Sequence, residues 1–312
     1  MKKIGLVAIL VIAMVAAFVG CGAPTTEAPA TEAPATEAPA TEAPAATEAP
    51  ATEAPAEPVT IKTAGSTSVG PVIEALVELY TAANPNVTIN VEAGGSGVGI
   101  TSTAEGTVDF GMSSRDLKKE EVEATPDMKV TVLCIDGLSI IVNSANPVAD
   151  LSPEQIKDIY LGEITDWSDV GGEAGKINLY TRDAASGTRE AFQTLLLGKD
   201  DAGEQIEIDE TLCAGIFDST GAVASAVEGD PMGIGYISLG IVPEYTGLKA
   251  VKIDGVEATV DNVINGTYTY MRNFNLLTMG DPAGEVAKFF EYCTTDQEAI
   301  DYMISKGYVM PA

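Results

Sequence analysis

Histidine does not occur in this 312-residue chain, and its absence excludes several classes of function. Without an imidazole there is no Ser-His-Asp or Cys-His nucleophilic machinery, and no zinc site built on histidine ligands. Aspartate and glutamate are abundant, yet the sequence contains no EF-hand loop and no clustered carboxylate metal motif. These absences argue against an enzyme, and we expect no catalytic residue, no metal and no cofactor.

Cysteine is scarce as well. After Cys21 only Cys134, Cys213 and Cys293 remain, far apart and without C-x-x-C spacing. Because they are odd in number, at most one pair could form a disulfide, and three buried thiols are the expected arrangement.

Basic residues are few: 17 lysines and arginines stand against 46 aspartates and glutamates, a formal net charge of −29. Residues 59–312 retain 15 of the basic and 39 of the acidic residues, a net of −24, because Lys2, Lys3 and seven glutamates precede them. Such a surface argues against nucleic acid and anionic lipid as partners. Any anion site on it must work through local donors.

The first 21 residues are typical of a secretory signal: a short basic start, an uncharged apolar run from Ile4 to Gly20, and Cys21. The small residues before Cys21 resemble a lipoprotein signal, which implies cleavage before Cys21 and lipidation of its thiol. A plain N-terminal membrane anchor is the alternative, since the apolar run is of marginal length for a span. Both readings place the rest of the chain outside the cytoplasm, tethered to a membrane.

Residues 22–58 are of low complexity, with six copies of Thr-Glu-Ala-Pro-Ala that begin at Thr26. The segment has no apolar face to bury, and proline and like charge keep such a chain extended. We predict a disordered stalk, followed by a folded part at residues 59–312.

The folded part alternates strand and helix patterns, which predicts an α/β fold with mixed sheets flanked by helices. Two long apolar segments, Lys129–Val142 and Tyr268–Leu277, are expected to cross between two lobes. This gives a two-segment hinge between lobe one, residues 59–140 plus 271–312, and lobe two, residues 141–270. Two lobes on a double hinge are a common arrangement for closing around a ligand.

Four glycine- and hydroxyl-rich turns each follow the carboxyl end of a predicted strand: Gly65–Pro71, Gly94–Gly99, Met112–Asp116 and Arg182–Thr188. Ligands bind at that edge of open α/β sheets. None of the four turns contains a lysine. Neutral donors and one or two arginines would therefore do the binding, and the pattern predicts one shared anion site.

The fourth turn is the most informative, because it ends a predicted strand at Ile177–Tyr180 and leads into a predicted helix at Thr188–Leu197. The start of a helix presents free N–H groups, and Ser186 and Thr188 would add hydroxyl donors. Gly187 permits a close backbone approach, and Arg182 offers a fork of charged donors. The alternative is that Ser186 only caps the helix.

The folded part resembles the phosphate-binding lipoproteins of ABC phosphate importers, a family with the type II periplasmic binding protein fold. The resemblance runs across residues 59–312. The matching stretches are Ala64–Val69, Gly95–Gly97, Asp109–Arg115, Leu151–Ile156, Tyr160–Trp167, Val170–Gly172, Arg182 with Ser186–Thr188, and Gly233–Gly240.

The resemblance implies a lipid-anchored, monomeric receptor on the outer face of the membrane. It would bind inorganic phosphate between its lobes and deliver it to the permease subunits of an ABC importer. The residues expected at the phosphate come from all four turns: Thr67, Ser68, Ser96, Ser114, Arg115, Arg182, Ser186, Gly187 and Thr188.

The third turn departs from some family members, which hold an aspartate where this chain has Ser114. A buried acceptor selects protonated phosphate over sulfate, because a fully deprotonated ion would meet it as a like charge. Asp116 is a candidate for that role, or it caps the next helix. Binding of another oxyanion (sulfate, molybdate or tungstate) by the same fold is therefore the alternative.

An extracytoplasmic phosphoesterase and an adhesive stalk protein are further alternatives. Trp167 is expected to pack rather than to contact ligand.

Overall fold

The computed structural model describes residues 57–311. The predicted signal, Cys21 and the stalk as far as residue 56 lie outside the described residues. Within the described part no helix is both long enough and apolar enough to cross a membrane.

The described residues form eleven strands, numbered β1 to β11 in chain order: Val59–Gly65, Val87–Ala93, Phe110–Ser113, Met128–Asn143, Asp150–Leu151, Asn178–Arg182, Cys213–Phe217, Gly233–Ser238, Leu248–Ala250, Lys252–Ile253 and Met271–Met279. They also form nine α-helices, numbered α1 to α9: Gly70–Ala83, Ser96–Ala104, Lys119–Ala124, Pro153–Tyr160, Gly187–Phe192, Thr220–Glu228, Val260–Ile264, Gly284–Thr295 and Gln297–Ser305.

Nine of the strands join into one mixed sheet in the order β2-β1-β3-β11-β4-β8-β6-β7, with β9 also paired to β4. The strands β1, β2 and β3 run parallel, and β11 lies antiparallel to both β3 and β4. On the other side β6 runs parallel to β7 and β8, while β8 and β9 are antiparallel to β4. This is the mixed α/β arrangement that the sequence predicts.

The long strand β4 belongs to both parts of this sheet. Up to Gly137 it pairs with β11, and from Leu138 onward it pairs with β8. The predicted crossing at Lys129–Val142 is therefore a strand, as expected. The lobe boundaries at residues 140 and 270 remain a prediction.

Separate hydrophobic cores lie on the two sides of the crossing. One packs Ile73 and Leu76 of α1 against Phe110, Phe274 and Phe289. The periodic spacing of apolar residues along α1 places one face of that helix in this core.

The second large core contains the single tryptophan, Trp167, with Tyr160, Phe192 and Tyr236. The ring of Phe192 stacks on that of Tyr236 at a centroid distance of 4.2 Å. Because these rings anchor α5 to β8, the turn that precedes α5 is held on a rigid support.

Three expectations need correction. The helix predicted over Thr188–Leu197 is α-helical only to Phe192, and Gln193–Leu197 forms a π-helical turn that ends at Gly198. Cys134 and Cys293 are buried free thiols as predicted, but the free thiol of Cys213 is only half-buried. It lies in β7, whose side chains alternate between half-buried and exposed, and this strand was not predicted.

Candidate anion-binding site

The first and fourth turns meet through their hydroxyl groups. Ser68, two residues before α1, is fully buried, and its Oγ lies 2.9 Å from Oγ1 of Thr188 in α5. Thr67 is half-buried beside it. Its Oγ1 accepts a hydrogen bond from the Thr220 backbone N–H at 3.3 Å. The predicted meeting of these two turns is therefore present in the geometry.

The second and third turns meet in the same way. Ser96 at the start of α2 and Ser114 after β3 are both fully buried, and their Oγ atoms lie 3.2 Å apart. The Ser96 Oγ also accepts a hydrogen bond from the Ser114 backbone N–H at 3.0 Å. Both pairs bring together hydroxyl groups, which are able to donate hydrogen bonds to an oxyanion.

Close backbone contacts join these two pairs. The N–H of Gly97 donates to the carbonyl of Ala185 at 3.0 Å. A Cβ added to Gly187 would lie 2.2 Å from the Ser96 Oγ. The second turn and the start of α5 are thus packed against each other with no room for a larger side chain.

Arg182, the last residue of β6, lies beneath these hydroxyls with only 1% of its surface exposed. Its guanidinium donates to the carbonyls of Phe217 at 3.2 Å and Asp218 at 2.9 Å, and to Oγ1 of Thr220 at 3.1 Å. These neutral acceptors hold the guanidinium in one orientation.

No carboxylate among the described residues forms a salt bridge with Arg182. Burial disfavours its charged form and lowers its pKa to about 10, so the side chain remains a cation at neutral pH. A buried cation without a charged partner carries a large desolvation penalty, which a bound anion would offset. The electrostatics of the site therefore favour an anionic ligand.

Ser186 does cap a helix, as the alternative reading proposed. Its Oγ accepts a hydrogen bond from the Arg189 backbone N–H at 3.2 Å, and its side chain is almost fully buried. The cap fixes the first turn of α5, where the N–H groups of Gly187 and Thr188 have no acceptor within the helix. Capping and anion binding are compatible here, because the cap orients these donors.

Arg115 is the one predicted site residue whose charged group forms salt bridges with carboxylates instead of facing the hydroxyls. Its guanidinium bonds both carboxylate oxygens of Glu121 at 2.7 Å, and its Nε lies 2.9 Å from Glu190. The structure thus brings eight of the nine predicted residues to the cluster of hydroxyls around Arg182, while the Arg115 side chain is engaged by carboxylates.

Asp116 is exposed, and its Oδ1 accepts from Asn275 at 3.3 Å. It does not cap α3, because the N-cap of that helix is Lys118. The expected packing role of Trp167 agrees with its burial and with its Nε1 donating to the Met232 carbonyl at 3.0 Å.

Sequence reasoning missed one member of the cluster, Thr220 at the start of α6. Its buried Oγ1 lies 2.8 Å from Ser68 Oγ and accepts from Arg182. A signal existed, because Asp218–Gly221 is a further hydroxyl-rich turn between strand and helix. The sequence pattern of β7, the strand before it, is too weak to predict that turn.

Comparison with known proteins is consistent with this geometry. The sequence model of the PBP superfamily domain matches residues 33–297. The phosphate-binding protein PstS of Bacillus subtilis (strain 168) is 30% identical over 253 residues, which cover 80% of this chain and 80% of the relative. The phosphate-binding protein PstS of Borreliella burgdorferi is 30% identical over 247 residues, covering 77% of this chain and 87% of the relative.

Solved structures give the same likeness. A Clostridium perfringens protein, assigned to a phosphate ABC transporter as its substrate-binding protein and carrying bound phosphate, matches with a TM-score of 0.72 and 36% identity. The match covers 81% of this chain and all of that one. An ABC-type phosphate transport receptor from Vibrio cholerae matches with a TM-score of 0.64 and 34% identity, over 80% of this chain and all of that one.

Proposed function

Because this chain belongs to the PBP superfamily and, within it, to the phosphate-binding PstS proteins, we propose that it captures inorganic phosphate between its two lobes for an ABC importer. The observation that carries the proposal is Arg182, a buried cation among hydroxyl groups with no salt-bridge partner in residues 57–311. Phosphate would supply the missing negative charge. Hydroxyl groups and backbone N–H groups would donate hydrogen bonds to the remaining phosphate oxygens.

The proposed phosphate ligands are the hydroxyls of the cluster, the fork of Arg182 and the first N–H groups of α5. They comprise Thr67, Ser68, Ser96, Ser114, Arg182, Ser186, Gly187, Thr188 and, in addition, Thr220. The role is capture and delivery without chemical turnover. The names of the relatives and of the solved phosphate-bound structure support the choice of ligand.

The setting of this function is also a proposal. The apolar run before Cys21 and the Thr-Glu-Ala-Pro-Ala stalk support an extracytoplasmic protein held at the membrane by a lipid on Cys21. We propose that it acts as a monomer and that permease subunits of an ABC importer receive the phosphate.

Calorimetric titration with phosphate, and separately with sulfate, tests the ligand after bound anion has been removed. We expect one phosphate per chain. Arg182→Ala should weaken its affinity by at least about 100-fold, because two charge-assisted hydrogen bonds contribute roughly 1.5–3 kcal/mol each. Arg182→Lys keeps the positive charge but not the planar fork of donors, so its phosphate affinity should lie between that of the parent and that of Arg182→Ala. Phosphate affinity unchanged in Arg182→Ala would refute the site, and sulfate binding without phosphate binding would refute the ligand.

A further inference from the structure

Four charged residues form an ion cluster apart from the hydroxyls around Arg182. Arg115 and Lys118 both contact one oxygen of Glu190, with Arg115 Nε at 2.9 Å and Lys118 Nζ at 3.0 Å. The fourth member, Glu121, bonds both terminal nitrogens of Arg115 at 2.7 Å. Arg115 is only 9% exposed and Glu190 26%, so solvent screens their contact less than it would on an open surface.

The cluster connects elements that also carry the proposed phosphate ligands. Arg115 directly follows Ser114, and Lys118 precedes α3 in the same segment. Glu190 lies on α5, one turn after Gly187. On the predicted lobe boundaries, Arg115, Lys118 and Glu121 belong to lobe one and Glu190 to lobe two.

The two sides differ in how they are held. Glu121 fixes Arg115 in a bidentate pair within its own lobe, and its Oε2 also accepts the Lys118 backbone N–H at 2.8 Å. The Arg115 guanidinium is therefore held without Glu190, and the backbone of Lys118 is fixed beside it. Glu190 meets them only when α5 is brought against the third turn.

We propose that Glu190 is a latch: its contact with Arg115 and Lys118 holds the lobes closed and slows the release of bound phosphate. This inference rests on the proposed function and on the predicted lobe division. Glu190 is a positioning residue, since it acts through closure and not through contact with the ligand.

The sign of the effect separates the latch from simple electrostatics. A carboxylate one helical turn from an anion site repels the anion, so its removal alone would strengthen phosphate binding. The latch requires the opposite, because on this proposal Glu190 contacts Arg115 and Lys118 only when the lobes are closed. Loss of a close, partly buried charge pair should raise the release rate about tenfold.

The test compares Glu190→Gln with the parent full chain, using phosphate release rates from stopped-flow competition and affinities from calorimetry. We expect release about tenfold faster and affinity weaker by a similar factor, with little change in the association rate. In the parent, release should also accelerate as salt increases, and Glu190→Gln should lose much of that salt dependence.

Glu123→Gln is the matched control. It removes the same charge from an exposed pair with Lys119 inside α3, at 3.7 Å, and it should leave release unchanged. Lys118→Met is a second variant in case Glu190→Gln folds poorly, which circular dichroism and thermal melting would show. It removes the half-exposed cation of the latch and should speed release by a smaller factor.

The outcomes separate the two claims. If the parent binds no phosphate, the proposed function fails, and the series is repeated with sulfate as the probe. If neither anion binds, there is no closed complex to hold and the latch fails with it. If phosphate binds and Glu190→Gln releases it at the parent rate or binds it more tightly, the latch is overturned while the proposed function stands.

Discussion

Gly187 and Ser96 approach each other so closely that a Cβ on the glycine would lie 2.2 Å from the serine Oγ, and 2.9 Å from the Oγ of Ser114. The backbone φ of Gly187 is not positive, so an alanine would be tolerated by the backbone itself. It is the closeness of α5 to the second and third turns that requires glycine here. A methyl group at this position would therefore oppose the close packing of α5 against these turns.

Gly187→Ala should weaken phosphate binding by about 5- to 150-fold, because overpacking of this kind costs about 1–3 kcal/mol. The cost falls on the closed form, so the melting temperature without phosphate should change little. Calorimetry and small-angle scattering measure affinity and closure. Gly70→Ala is the control, since a Cβ there meets nothing within 4 Å. Parent-like phosphate affinity in Gly187→Ala would show that α5 and the second turn, which contains Ser96, move apart in the bound form.

Thr220 Oγ1 connects Ser68 and Arg182, at 2.8 and 3.1 Å. Thr220→Val keeps the shape of the side chain and removes only the hydroxyl. We expect roughly tenfold weaker phosphate binding, because a buried guanidinium N–H loses its acceptor and Ser68 its neighbour. Thr220→Ser keeps the hydroxyl and should bind nearly as the parent does. Equal titration curves for the valine and serine variants would remove Thr220 from the site.

The sequence was sufficient for the α/β fold and for the meeting of its hydroxyl-rich turns. Alternating strands and helices predict the α/β fold. Hydroxyl-rich turns that follow parallel strands are expected to lie close together, since parallel strands end at one edge of a sheet. Ser96 and Ser114 come together for this reason, because β2 and β3 both run parallel to β1. The same reason does not bring Thr188 to Ser68, because β6 runs opposite to β1, β2 and β3 along the sheet.

The sequence could not predict side-chain contacts between residues that tertiary packing brings together from distant parts of the chain. The position of Arg115 in its turn predicts an anion ligand. In the structure its Nε instead pairs with Glu190, from a distant part of the chain. Thr220 was missed because β7 is short and contains Ala214 and Gly215, which carry little of the β-branched or aromatic signal of a strand. Propensity and periodicity are local, whereas both of these features depend on contacts distant in sequence.

Asp136 of β4 and Arg272 of β11 form a buried ion pair. Arg272 Nε and Nη2 donate to Asp136 Oδ2 at 3.1 and 3.0 Å, and Ser238 donates to the other carboxylate oxygen at 2.6 Å. The pair lies next to Gly137, where β4 changes its partner from β11 to β8. It therefore joins β4, β11 and β8 at the point where the chain passes between the proposed lobes.

Asp136→Asn should lower the free energy of unfolding by about 3–5 kcal/mol, because it leaves the Arg272 cation buried without its counter-charge. The double variant Asp136→Leu/Arg272→Met buries no charge and should recover a large part of that loss. Chemical denaturation measures both. Glu257→Gln breaks an exposed pair with Lys252 and should cost less than about 1 kcal/mol. If the double variant is no more stable than Asp136→Asn, the pair holds the crossing strands through its geometry and not only through charge compensation.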